Sequence, residues 1–321
     1  MAKFSHYYLK YDLSDLYAQE HKARRQQLFG EMLEKDDSIS FILGEGEQKK
    51  HYKHAVKHLR LNHDIIVMRI ANDTTKEVIQ DFKKKSVRHE PPCYVIFDNR
   101  EHCRRVAIQN NREAWASTRS VAEVMTKVRG DAMMRNCNMC ISMTPQFYPK
   151  DFYKAWRLHQ HHTSRLWFGL TGGDMPEVFE NEPQNDDRIM GFALKVNEEA
   201  QRKKYKTELV LSAAQTGMPL LVDEDSVYIR NLVNFHAMTG LPIVIEMSDG
   251  AHFTCFIDDE EDSAKIITSE IDRSVLDVLF GEHEGDVGNA ESAVMEFVNK
   301  MKYVVDDNEQ HNGDGTKEDV A

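Results

Sequence analysis

Cys137-Asn138-Met139-Cys140 sets two thiols two residues apart, the spacing with which zinc knuckles aim two thiolates at one ion. His159 and His162 follow downstream, three apart, so one helical face can carry both. Cys137, Cys140, His159 and His162 therefore make the arithmetic of a Cys2His2 zinc site, although the 18 residues between the pairs exceed the spacing of a zinc finger. The set closes only through a turn centred on Asn138, because along an extended strand the two cysteines face opposite ways. Two small apolar residues at a helix–strand junction are the competing reading. A redox pair of the thioredoxin type would need a strand before the cysteines and a helix after them, the reverse of the order here. The second chemistry is electrostatic. Lys49, Lys50, Lys53, Lys57 and Arg60 crowd one short stretch with His51, His54 and His58, and Tyr52 is interleaved. Such side chains bind phosphate backbones, and one aromatic ring can stack a base. If the stretch is a strand, its charges divide between two faces. A second basic run, Lys83-Lys84-Lys85, reads as a solvated polar loop.

A third arrangement is Arg230-Asn231-Leu232-Val233-Asn234-Phe235-His236. An arginine, a polar residue, four further positions and a histidine is similar to the motif of HEPN-type ribonucleases. The resemblance covers these seven residues only. It implies that Arg230 holds a phosphate and that His236 helps to activate a ribose 2′-hydroxyl. HEPN domains are helical bundles, whereas this motif stands just before a β-hairpin pattern. Read from the residues alone, His236 lies on the Ile229/Leu232/Val233 face of an amphipathic helix.

Other chemistries lack their spacing. The acidic run at 258–262 has no interposed glycine and no calcium-loop ligand pattern. Glu261 and Lys265 are four apart, the wrong register for a PD-(D/E)xK nuclease. Gly44-Glu45-Gly46-Glu47-Gln48-Lys49-Lys50 has the glycines and lysines of a phosphate loop without its span. No Gly-x-Ser-x-Gly, His-Glu-x-x-His or kinase signature occurs.

Behind these residues the apolar periodicity predicts the elements that position them. Residues 4–13 read as a strand and 16–33 as a helix, with 38–43 a short strand. Residues 63–72 and 92–100 are apolar runs bounded by turn residues, hence buried strands, and the second turns through Asp98-Asn99-Arg100-Glu101 into a hairpin around Val106 and Ile108. Ser120 with Glu123 makes a capping box opening a helix that ends near Asn136. A strand at 140–146, a helix over 149–162 and a strand at 165–170 follow. A long helix is predicted from 191 to 210 and another from 225 to 239, closed by Gly240. Residues 242–247 and 252–257, joined at Ser248-Asp249-Gly250, are the clearest hairpin. Ser269 with Asp272 caps a helix on Val275, Leu276, Leu279 and Phe280, and Ala290 to Met301 forms the last helix. Hairpins mixed with helices, without strand–helix–strand alternation, predict an α+β fold with largely antiparallel sheets.

The acidic loop at 171–187 is the expected boundary between a basic-segment domain, 1–170, and an α+β domain, 188–303, with an acidic tail over 304–321 expected to be disordered. Charge separates along the chain. Between Glu47 and Arg105 stand 14 Lys and Arg against 8 Asp and Glu, a balance of +6 in a protein of net charge −12, leaving −18 elsewhere. The five cysteines form no disulfide framework, no signal-peptide pattern opens the chain and no apolar run spans a bilayer, so a reducing cytoplasm and no membrane partner are expected. The hairpin at Asp98–Glu101 followed by a capped helix resembles single-copy proteins of bacterial mobile-element and phage-defence loci, with no diagnostic motif beside it. The sequence thus points to a cytoplasmic accessory protein without a cofactor, contacting DNA or RNA, or a protein partner or second copy, through its basic first half. An RNase-like effector using Arg230 and His236, or a small zinc-stabilised module, is the alternative.

Overall fold

The computed structural model describes residues 1–12, 21, 24–34, 38–43, 48–59, 64–72, 74–80, 83–100, 103–170, 208–215, 217–224, 226–256 and 265–301. Among them are fourteen strands: β1 (Ala2–Asp12), β2 (Ser38–Leu43), β3 (Gln48–His58), β4 (Ile65–Asn72), β5 (Thr74–Gln80), β6 (Lys83–His89), β7 (Pro92–Asp98), β8 (Arg105–Gln109), β9 (Cys140–Pro145), β10 (Thr163–Gly169), β11 (Glu208–Ser212), β12 (Ile243–Met247), β13 (His252–Cys255) and β14 (Thr268–Ile271). Six helices accompany them: α1 (Arg25–Glu34), α2 (Thr118–Cys137), α3 (Pro149–His159), α4 (Val227–Thr239), α5 (Arg273–Leu279) and α6 (Val287–Met301). The fold is α+β and its strand pairs are antiparallel, as the hairpin-rich pattern predicts.

The large sheet runs β14-β1-β8-β7-β4-β3-β2, with β9 also paired to β1. Its central strands are apolar at consecutive positions because both faces are covered. On β4 and β7, Ile66, Met68, Cys93, Val95 and Phe97 enter the core under α1 and α2. Their neighbours Ile65, Val67, Tyr94 and Ile96 enter the opposite core under α5 and α6. All nine are fully buried. Each such side chain contributes about 1.5–3 kcal/mol relative to exposure. On α6, Ala290, Val294, Phe297, Val298 and Met301 make the covering stripe.

The small sheet, β11-β10-β12-β13, carries α3 and α4 on one face through Phe152, Trp156, Leu232 and Val233 against Leu166, Phe168, Ile243 and Ile245. The sheets are not successive in sequence. β10 joins the small sheet before residue 171, whereas β14, α5 and α6 return to the large one. Residues 144–147 stitch the two together. The Gln146 N–H donates to His6 O at 2.9 Å and the Phe147 N–H to Ala237 O at 2.8 Å. The Gln146 amide donates to Met238 O and the Thr144 hydroxyl to Thr239 O, satisfying carbonyls in the last turn of α4. Gly240 then ends that helix at φ 67°, packed so tightly that a Cβ there would stand 2.6 Å from Pro145 O.

Three expectations change. Residues 208–212 form β11 and not the end of a long helix, whose other residues lie outside those described, as do the 171–187 loop and the acidic tail. Ser269 belongs to β14, and Asp272 caps α5, its carboxylate accepting from the Ser274 N–H at 3.1 Å. Lys83-Lys84-Lys85 opens a strand and not a loop. No helix among the described residues is long and apolar enough to cross a membrane.

Candidate nucleic-acid interface

Strand register decides where the basic residues gather. β3 pairs with β4 from Tyr52↔Asn72 to His58↔Ile66, so residues 48–51 overrun the end of β4 while still paired to β2. From that same end β4 leads into β5, which pairs with β6 from Thr74↔His89 to Gln80↔Lys83 before the chain re-enters the sheet at Pro92↔Ala71. Two antiparallel ribbons therefore leave the large sheet at one end. Lys49 and Lys50 lie on the first and Lys76, Lys83, Lys84, Lys85 and Arg88 on the second, while Lys53 and Lys57 stand where β3 is still paired to β4, at Lys53↔Ala71 and Lys57↔Val67. Arg60 lies outside the described residues.

β3 divides its side chains as an alternating strand must. Lys53 and Lys57 are exposed on one face, and Lys53 Nζ stands 3.2 Å from a Glu90 carboxylate oxygen. Tyr52 and His54 are buried on the other. Tyr52 stacks on Trp115 with centroids 4.7 Å apart, and burial pushes its phenol pKa up. It belongs to the core and offers no face to a base, contrary to the interleaved stacking role. His54 Nε2 is 3.2 Å from Leu33 O, and His58 Nε2 is 2.8 Å from the Glu34 carboxylate. His54 and His58 thus hold α1 on the sheet.

The proposed zinc ligands are not brought together. The turn at Asn138 is present, with φ 52°. Cys137, however, is buried at the end of α2 and its thiol donates to Met133 O at 3.1 Å. His159 lies over Phe253 of β13 at 5.2 Å, and His162 is exposed beyond α3. Among the described residues no three His, Cys, Asp or Glu side chains gather as metal ligands. All five cysteines are free thiols.

Arg230 and His236 diverge as well. Six residues on a helix rotate about 240°, so Arg230 is exposed while His236 is fully buried. His236 Nδ1 lies 2.8 Å from Leu232 O and Nε2 3.0 Å from Gly169 O, with Phe168 and Phe235 edge-on to the ring. Burial lowers its pKa to about 4. Both ring nitrogens face backbone carbonyls, leaving none for a ribose hydroxyl. The helix-face reading of His236 holds, and the HEPN-like roles of the pair have no geometry here.

A buried polar centre at the other end of β7 and β8 escaped the sequence. Arg25, Arg104 and Arg105 are all buried, and the Arg104 guanidinium, on a residue at φ 44°, lies over the Tyr8 ring. The Tyr11 hydroxyl donates to Asn99 Oδ1 at 2.8 Å, and the Asn99 amide donates to Gln26 O. Arg100 grips Asp98 through two bonds of 2.7 and 2.8 Å, which hold its guanidinium charged. Nearby His6 is buried, with Nε2 2.5 Å from Ser269 Oγ and a pKa lowered to about 3, first by burial and then by Arg105. The pair has the reach of a serine and its base, but no carboxylate is bonded to His6 Nδ1 among the described residues. Alternation cannot distinguish a buried guanidinium from an exposed one, and the doublet Arg104-Arg105 was the only sequence trace of this centre.

Compared with known proteins, the chain matches no family model, no curated protein and no solved structure.

Proposed function

We propose that this protein is a cytoplasmic, non-membrane accessory protein that binds nucleic acid through the two basic ribbons at one end of its large sheet. The observation behind this reading is the shared departure of β2–β3 and β5–β6 from that end, with lysines on both. Lys53 and Lys57 are exposed on one face of β3; Lys53 pairs with Glu90, and Lys57 contributes nothing to the cores and faces solvent. Net charge −12 does not oppose such contact. At physiological salt, charges beyond roughly 8 Å are screened, and the local patch dominates. Fluorescence anisotropy with labelled DNA and RNA across a salt series tests it. Log K should fall linearly with log salt concentration. Absence of salt-sensitive binding even at low ionic strength defeats the reading.

A further inference from the structure

We infer that a cleft on the outer side of α6 binds a small amine, an ammonium group on an apolar body, with Glu291 as its counter-charge and Leu59 and Met295 as its floor. The site is separate from the basic ribbons. Leu59 follows the far end of β3, opposite the end at which residues 48–51 overrun β4.

Helical pitch makes the cleft. α6 turns Ala290, Val294, Phe297 and Met301 into the core. The neighbouring stripe, on which Ser292 and Met295 lie three apart, is left to face outward, with Leu59 across from it. Between them lies a cavity of about 590 Å³. Small-molecule sites measure roughly 300–1,000 Å³, so the space suits a ligand of that class. Leu59 and Met295 are half-buried and pack against the core that α6 covers, which holds the floor in place. Such a floor favours any apolar body that keeps water off it.

The walls select the charge. The Ser292 hydroxyl donates to Gly288 O at 2.9 Å, so its oxygen is left to accept. Lys300, the basic residue among the described residues lining the cleft, holds the Glu296 carboxylate at 2.6 Å, and the two charges cancel. Glu291 is half-buried and, among the described residues, enters no ion pair. It stands in the second turn of α6, past the reach of the positive helix end. What remains is one carboxylate and one hydroxyl oxygen beside an apolar floor. A phosphate or carboxylate ligand would meet like charge there. A neutral apolar molecule would leave Glu291 without a counter-charge, and a bare ammonium would leave the floor wet. An ammonium on an apolar body matches both.

The full chain, labelled with carbon-13 at its methionine methyls, is titrated with four probes, and the Met295 resonance is identified by its loss in Met295→Leu. Phenethylamine should shift that resonance saturably. Methylamine lacks the body, 2-phenylethanol lacks the charge and 3-phenylpropionate reverses it; each should bind more weakly by about tenfold or more. Glu291→Gln should weaken phenethylamine by the same factor, and unmoved resonances of the remaining methionines show that the variant is folded. The probe series on the unsubstituted chain decides the question by itself. Equal binding of the amine and the alcohol, a preference for the carboxylate, or a Met295 methyl that phenethylamine leaves unmoved overturns the inference. So does a folded Glu291→Gln variant that binds phenethylamine as tightly as the unsubstituted chain.

Discussion

β7–β8 and β5–β6 are neighbouring antiparallel hairpins in one chain, yet they are made from opposite materials. In β7–β8 the residues from Cys93 to Phe97 and from Arg105 to Gln109 are buried, because α1 and α2 cover one face and α5 and α6 the other. In β5–β6, five Lys and Arg occupy fourteen strand positions, and among the described residues the ribbon pairs with no third strand. The first hairpin is held by what it excludes from water. The second is held by its own ladder and its root in β4 and β7.

Substitution tests the contrast most severely in the core. Phe97→Ala, which removes a buried ring 5.4 Å from Phe29, should lower unfolding free energy by about 3–5 kcal/mol in urea titrations. Protons probe the same interior. His6 and His236 have folded pKa values of about 3 and 4, below the ordinary 6.5. Between about pH 4 and 6.5 the unfolded chain therefore binds more protons, so their stabilising contribution is complete above 6.5 and is lost as pH falls. Each histidine contributes a slope of about 1 kcal/mol per pH unit at its steepest; urea midpoints at pH 7 and pH 5 measure it, and His236→Phe should flatten the curve. Gly240→Ala forces a Cβ against Pro145 O at a positive φ and should cost about 1–3 kcal/mol. Lys83→Gln, on the ribbon, should move stability by less than about 0.5 kcal/mol. A ribbon substitution as damaging as Phe97→Ala would erase the distinction between the hairpins.

Legibility followed the same division. Where both faces are buried, the apolar runs at Ile65–Ile70 and Pro92–Phe97 read directly as strands, and the turn at Ser248–Gly250 marked the β12–β13 hairpin, Gly250 standing at φ 85°. The stripe on α6 and the glycine after α4 were equally plain. β5 and β6 were hidden because Thr74–Gln80 and Lys83–His89 are mostly polar and show no apolar alternation. The capping box at Ser120 misplaced a helix start by one turn: α2 begins at Thr118, and Ser117 Oγ accepts from the Ser120 N–H. Of the candidate sites, the basic cluster has Lys49, Lys50, Lys53 and Lys57 on β3, with Arg60 outside the described residues. Tyr52 and His54 look functional by type and are core by position, a distinction that exists only after folding, whereas the apolar helix face had already placed His236 inside.

The edge of β1 carries a consequence for synthesis. Its residues Ala2 to Ser5 pair with β14 and Tyr7 to Asp12 with β9, so two distant segments complete one strand in succession. Ala2 meets Ile271, and that pairing cannot form until β14 has left the ribosome. Contacts so far apart in sequence slow folding. Until β14 arrives, the edge of β1 is an open template for a foreign strand. β1 thus waits on β14 for its last neighbour, and a chaperone or a crowded polysome would meet that edge first.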